Sequence, residues 1–222
     1  MDLPRAFTYP FEDEEWSNKL PITLILGVIP IVNLTVVGWA LDLIRNMLAG
    51  SARPMPAWDG ETLADRFVAG LTVAVAMLIY YLPIIVIICP LAILLGVLTA
   101  GAGGGLINTA FDLCIRLVTL LYTAAVWLPL SVGVIRFART RDFNVFLQIG
   151  QNLSLANQHF ATFVVLAIYK FAASLVLSLL GLIPCVGWLL ILLAFGVNLV
   201  IQAHLIGQAG VDVMNRTQRG AA

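Results

Sequence analysis

The sequence predicts an all-α protein, a polytopic transmembrane helix bundle of five spans, or six if Pro30 turns a short half-helix. Three observations predict it. Of 222 residues, 61% are apolar and only 11% charged, roughly half the charge of a soluble domain, and mean hydropathy is +0.99. The apolar residues gather into runs long enough to cross a hydrocarbon core of about 30 Å as helices. An octet also recurs, Leu26-Gly27-Val28-Ile29-Pro30-Ile31-Val32-Asn33 and Leu180-Gly181-Leu182-Ile183-Pro184-Cys185-Val186-Gly187. Its copies share Leu, Gly, Ile, Pro and Val at the same offsets, and each sets a helix-breaking proline in apolar surroundings.

Residues 1–19 form a polar, aromatic N-terminal segment in which Tyr9, Trp16 and Lys19 suit a membrane–water interface. A single helical domain follows over 20–208. Its first run, 20–49, carries no charge before Asp42. Either it crosses once with a kink, or 18–29 is a half-helix, the chain turns at Pro30, and 33–49 is a second leg. In the polar link 50–66, Pro54 and Pro56 keep the chain extended and Trp58 anchors it. Asp59 or Thr62 can cap the next helix, and Thr62-x-x-Asp65 fits a capping box. Span 67–98 contains Pro83 and Pro90 and is longer than the minimum, so tilt or kinking is expected. Gly101-Ala102-Gly103-Gly104-Gly105 makes a flexible turn.

The span 107–135 carries Asp112 and Arg116 one helical turn apart, a local pair, as are Asp42 and Arg45. In 143–158, Phe143, Phe146, Leu147, Ile149 and Leu153 alternate with Gln and Asn, as in an interfacial amphipathic helix. Spans 160–183 and 187–206 meet at the second proline as a tight hairpin, and 209–222 is a flexible tail. Arg45, Arg53 and Arg66, then Arg136, Arg139 and Arg141, then Arg216 and Arg219 all fall on one side, which should be cytoplasmic. That orientation predicts a multi-pass protein of the cytoplasmic (inner) membrane with a cytoplasmic C-terminus. The N-terminus is outside if 20–44 spans once and inside if Pro30 turns.

Several motifs resemble one family. They are Tyr9-Pro10-Phe11-x-Asp13-x-x-Trp16-x-x-Lys19, Ile29-Pro30-Ile31-Val32-Asn33-x-x-x-x-Gly38-Trp39 and Pro54-x-Pro56-x-Trp58-Asp59. Ile183-Pro184-Cys185-Val186-Gly187 and His204-x-x-Gly207-Gln208 complete the set. Together they resemble the prokaryotic integral membrane family known as domain of unknown function four-zero-one-three. The resemblance implies a multi-spanning membrane protein and carries over no catalytic residue, ligand or partner.

Candidate functional residues are few. Lys170 lies about 15 Å into its helix at 1.5 Å per residue, and an intramembrane ionisable residue is a functional candidate by default. Asp42, Asn198 and Gln202 could share its depth and form a polar site; the plainer alternative is a lysine that snorkels to the interface. The breaks at Pro30, Asn33, Pro184 and Gly187 resemble the discontinuous helices of transporter sites, but simple chain reversal is the favoured reading. His159 and His204 join Trp16 and Trp58 as interfacial residues, because neither histidine has a second ligand at metal-like spacing. Cys89, Cys114 and Cys185 are isolated, so a zinc site or disulfide framework is not expected. Zero net charge leaves no nucleic-acid footprint, the acidic N-terminus lacks a signal-peptide pattern, and no cofactor motif stands.

The expected partners are the lipid bilayer and either further copies of the chain or other membrane proteins. Three functions follow in order: a non-enzymatic accessory or scaffold component, a small-solute or ion transporter using the two Ile-Pro-x-Val breaks and Lys170, and a lipid-acting membrane enzyme.

Overall fold

In the computed structural model, which describes residues 1–99, 106–184 and 187–220, the described residues form helices and turns with no strand. A short helix α1 (Leu3–Thr8) and a 3-10 turn (Tyr9–Glu12) lead into α2 (Trp16–Val28) and α3 (Asn33–Leu48). Long helices α4 (Leu63–Thr99) and α5 (Leu106–Thr140) follow. Two short helices, α6 (Asn144–Leu147) and α7 (Ile149–Gln158), precede α8 (Phe160–Ser178), a 3-10 turn (Leu179–Leu182) and α9 (Gly187–Gly220). The glycine turn expected at 101–105 lies outside the described residues, as do Cys185 and Val186.

The run 20–49 is not one span. Pro30 divides it into α2 of 13 residues and α3 of 16, about 20 and 24 Å long at 1.5 Å per residue. Each is too short to cross a core of about 30 Å alone. The reversal passes through Ile31 at φ 69°, a left-handed conformation that a β-branched residue rarely adopts. Four segments are long and apolar enough to cross a membrane: Leu63–Leu91, Thr109–Thr140, Phe160–Leu182 and Leu193–Thr217. The tail differs from expectation too, since α9 continues to Gly220.

α3 lies at the centre, packed against α4 on one side and α9 on the other. Its Val36, Trp39, Leu41, Leu43 and Ile44 are buried. The contact with α4 is backbone to backbone. A Cβ on Gly38 would stand 1.9 Å from the Arg66 carbonyl oxygen, and one on Gly70 would stand 1.8 Å from that of Leu34. Each glycine therefore faces the carbonyl four residues before the other, the close approach that small residues permit, with Cα–H groups directed at carbonyls.

The prolines of α4 do not end it. Pro83 has no N–H to offer the Ile79 carbonyl four residues back; the next carbonyl, that of Tyr80, accepts a hydrogen bond from Tyr122 Oη of α5 at 2.7 Å, an outside donor of the kind that supports a proline-containing apolar helix. The outer faces of α4, α5 and α8 are apolar and exposed, as at Ile87 (62%), Leu120 (65%) and Phe171 (71%).

Candidate functional site

Polar chemistry collects at the end of the bundle where α1, the 50–62 link, α6 and α7 lie. Lys19, at the start of α2, is buried and bonds both Asp13 oxygens, at 3.1 and 2.9 Å, and the Met55 carbonyl at 3.3 Å. Glu15 adds a carboxylate at 3.1 Å. Burial opposes the charge on Lys19, but hydrogen bonds and attraction from Asp13 and Glu15 outweigh it and hold its pKa above the ordinary lysine value. Trp39 and Trp58 stack at 5.8 Å with planes 4° apart. Trp39 Nε1 donates to the Pro56 carbonyl at 3.0 Å, and Trp58 Nε1 to Thr23 Oγ1 at 3.0 Å. The link is thereby fastened to α2 and α3, and Asp59 caps its exit by accepting from the Thr62 N–H at 2.8 Å. Trp58 is a half-buried clamp rather than only a surface anchor. Trp16 is exposed at the head of α2, edge-on to Phe11.

On the opposite side of the link, α1 docks on α9. Gln208 accepts from the Asp2 N–H at 2.6 Å and donates to its carbonyl at 3.1 Å. His204 is buried against Tyr9, ring centroids 3.8 Å apart, and its Nδ1 has no hydrogen-bond partner. Burial raises the pKa of the Tyr9 phenol. A recess of about 480 Å³ opens here, lined by Asp2, Arg5, Met47, His204, Gln208 and Asp212 among others. His159 sits at the corner between α7 and α8, its carbonyl accepting the N–H groups of Thr162 and Phe163.

Asp42 departs from both expectations made for it. It bonds neither Arg45 nor the Lys170 group; it binds Arg66 Nε of α4 at 2.9 Å and the Arg141 guanidinium. The Pro30 break is the reason, because α3 starts afresh at Asn33 and carries Asp42 to the polar end, beside the start of α4. Arg141, at φ 56°, ends the turn after α5. Burial lowers its pKa, Asp42 opposes that, and the nearby Arg45 and Arg66 add to it. Arg136 is held by Asn152 Oδ1 at 2.6 Å and Gln148 Oε1 at 2.5 Å. Asn152 in turn donates to the Val145 carbonyl at 2.8 Å, so the Asn and Gln residues of 143–158 partly serve to dock α6 and α7 on α5.

Of the four residues expected at mid-bundle, three meet. Gln202 Nε2 donates to Asn198 Oδ1 at 3.0 Å, Ser174 Oγ at 3.2 Å and the Lys170 carbonyl at 3.1 Å. Lys170 contributes its backbone there, while its ammonium lies over the Trp127 ring, 5.3 Å from the centroid. Gln202 Oε1 is buried without a partner. Ser174 and Trp127 were not singled out by sequence reasoning, and Asp13 stood in a family motif with Lys19 without a role; the spacing of Ser174 one turn from Lys170 was the available signal.

The two octets share the backbone of their isoleucine before proline and the hydrogen bonds around it. Ile29 and Ile183 have φ, ψ of −81°, 117° and −75°, 116°. Each N–H bonds the carbonyl three residues back at 3.3 Å, and each carbonyl accepts from the residue four ahead, Asn33 at 3.0 Å and Gly187 at 2.8 Å. Pro30 and Asn33 thus belong to a chain reversal, while Pro184 follows the end of one helical segment and Gly187 starts the next. Among the described residues no group of three or more His, Cys, Asp or Glu could hold a metal ion.

No curated protein and no solved structure matches the chain significantly. A family model does, over residues 22–186. The motifs at 9–19 and 204–208 fall outside that match; the first packs on it through Lys19 on Met55, and the two meet each other where the His204 ring lies beside Tyr9. With 165 of 222 residues matched, the chain belongs to the family described as protein of unknown function (DUF4013).

Proposed function

We propose that the chain is a multi-pass protein of the cytoplasmic (inner) membrane that works as a non-enzymatic accessory or scaffold component. Four apolar segments of sufficient length support insertion. Of the twelve lysines and arginines, all but Arg116 and Lys170, hence ten, lie on segments at the polar end, which supports a cytoplasmic C-terminus. On this reading α2 and α3 form a re-entrant hairpin and the N-terminus is cytoplasmic as well. The observation that carries the scaffold reading is how the polar side chains are used. Asp13, Lys19, Asp42, Arg66, Arg136 and Trp58 each tie one segment to another, leaving a preassembled cap suited to hold a partner rather than to turn over a substrate. Further copies of the chain or another membrane protein are the partners that fit.

Solute passage is the second reading, favoured by the unpartnered Gln202 Oε1 beside Lys170. Cysteine labelling separates the two. In a variant lacking Cys89, Cys114 and Cys185, Lys170→Cys should resist a membrane-impermeant thiol reagent in both intact cells and inside-out vesicles. Glu14→Cys should react only in inside-out vesicles. Reaction at Lys170→Cys would replace the scaffold reading by transport, and reaction at Glu14→Cys in intact cells would reverse the orientation.

A further inference from the structure

Beside the Asp42 pair lies an open recess of about 480 Å³, lined by Asp42, Arg45, Asp65, Arg66 and Arg141, with Val68 and Thr72 on its α4 wall. Three guanidinium groups face two carboxylates. Asp42 serves two of the arginines at once, and Arg45 makes no ion pair among the described residues. Arg66 is 95% buried, yet its Nη1 has no hydrogen-bond partner in the protein. Such an orphaned charged donor is costly unless something else accepts from it.

The recess does not stand alone. Val68, Leu71, Val75, Leu78, Leu82 and Ile85 are all exposed and recur at alternating spacings of three and four, which places them on one face of α4. The stripe begins at the recess and runs about 25 Å along the helix, more than half of a core of about 30 Å. A cationic recess continuous with an apolar track matches a headgroup joined to an acyl chain. Arginine forks suit phosphate oxygens, and basic pockets at the cytoplasmic ends of membrane helices are where anionic headgroups bind.

We propose that Arg45, Arg66 and Arg141 form a binding site for the phosphate of an anionic phospholipid, whose acyl chain lies along the Val68–Ile85 face of α4. The site rests on the membrane reading, and the two fail separately. Recovery of the full chain from the soluble fraction without detergent refutes the membrane reading before any lipid is added.

The test of the site is a thermal unfolding titration of the full chain, purified in a neutral detergent, with phosphatidylglycerol, phosphatidylcholine or inorganic phosphate. Each variant is compared with its own lipid-free midpoint, so a folding defect does not pass for a binding defect. Phosphatidylglycerol should raise the midpoint and phosphatidylcholine, whose phosphate is offset by choline, should not. Arg45→Gln and Arg141→Gln should each need about tenfold more phosphatidylglycerol for the half-maximal shift, as expected for one charge-assisted bond. Arg216→Gln, outside the recess, should titrate like the parent. Equal responses to the two lipids, or variants that titrate like the parent, overturn the site. A response to inorganic phosphate equal to that to phosphatidylglycerol overturns the assignment to a lipid.

Discussion

Gly38→Ala tests the crossing on which the bundle is built. The added Cβ would lie 1.9 Å from the Arg66 carbonyl oxygen and 2.5 and 2.6 Å from the Arg66 C and Cα. An ordinary contact starts near 3.4 Å, so 3.4 − 1.9 gives 1.5 Å by which α3 and α4 must part. The obstacle is helix backbone, so no rotamer change relieves it. Overpacking costs about 1–3 kcal/mol where side chains can yield, and the upper end, about 3 kcal/mol, applies here. For a chain of this size that lowers the unfolding midpoint by roughly 6–12 °C. Tryptophan fluorescence during heating in detergent is a suitable assay, since the Trp39–Trp58 stack lies beside the crossing. Gly150→Ala is the control: its Cβ would meet nothing within 4 Å and alanine is the better helix former by up to about 1 kcal/mol, so its midpoint should hold or rise. If Gly38→Ala unfolds within a degree of the parent, the helices do not cross as closely as described and α3 is not pinned by α4.

Asp42→Asn should destabilise by about 2–3 kcal/mol in denaturant titration, less than the 3–5 of a fully buried pair because Asp42 is 24% exposed. Asp112→Asn, whose pair with Arg116 is largely exposed, should fall within the small range of surface pairs, and equal losses at the two sites would refute the distinction. Lys19 has a folded pKa above its unfolded value, so its stabilisation is complete below the ordinary lysine pKa near 10.4 and is lost as pH rises through the folded value. The stability gap between the parent and Lys19→Met should therefore stay flat through neutral pH and narrow only in strong alkali; narrowing below pH 9 would contradict the buried pair. Ile31→Gly should hold or raise the midpoint, because a left-handed β-branched residue costs about 1–2 kcal/mol, glycine returns about 0.5–1 of that in chain entropy, and Ile31 is 71% exposed. A clear drop would show that its side chain is needed at the turn.

Both breaks were legible because each proline lies among residues that otherwise favour a continuous apolar helix. What the pattern left open was whether Pro30 kinks or reverses the chain. The reversal depends on Ile31 taking φ 69°, and no glycine stands there to announce it. That one choice decided the depth of Asp42, and so moved it from the expected mid-bundle group to the polar end. Its partners, Arg66 and Arg141, are 24 and 99 residues away, whereas sequence spacing proposes neighbours within a turn, which is why Arg45 looked the natural mate. Asp112 with Arg116 is such a neighbour and does pair, at 2.7 Å. The role of Gly38, which stood in a family motif, and of Gly70 was hidden for a related reason: a glycine's value at a helix crossing lies in the backbone it meets, here Arg66 and Leu34, and no local pattern names that partner. The meeting of Asn198, Gln202 and Lys170 was foreseeable, since two unlike polar residues one turn apart on an apolar helix need an acceptor on a neighbouring helix.

The legs that the two breaks join argue against weighting the octets as paired halves of a binding site. The matching entries to the two breaks are set between unlike legs: α2 and α3 are both short, whereas α8 and α9 are long enough to cross a membrane. The glycines of each copy serve local packing. A Cβ on Gly187 would meet the Gly181 carbonyl at 2.5 Å within its own turn, while one on Gly27 would stand 3.5 Å from the Gly196 Cα on α9. A reversal whose small residues are spent on closing the turn and seating it against α9 has no need of a ligand to explain its sequence. Among the described residues the orphaned groups lie elsewhere, at Arg66 Nη1, His204 Nδ1 and Gln202 Oε1, and two of the three belong to residues that line recesses at the polar end. Unmet hydrogen-bonding capacity beside open space, rather than the repeated break, is therefore the better guide to where this protein meets other molecules.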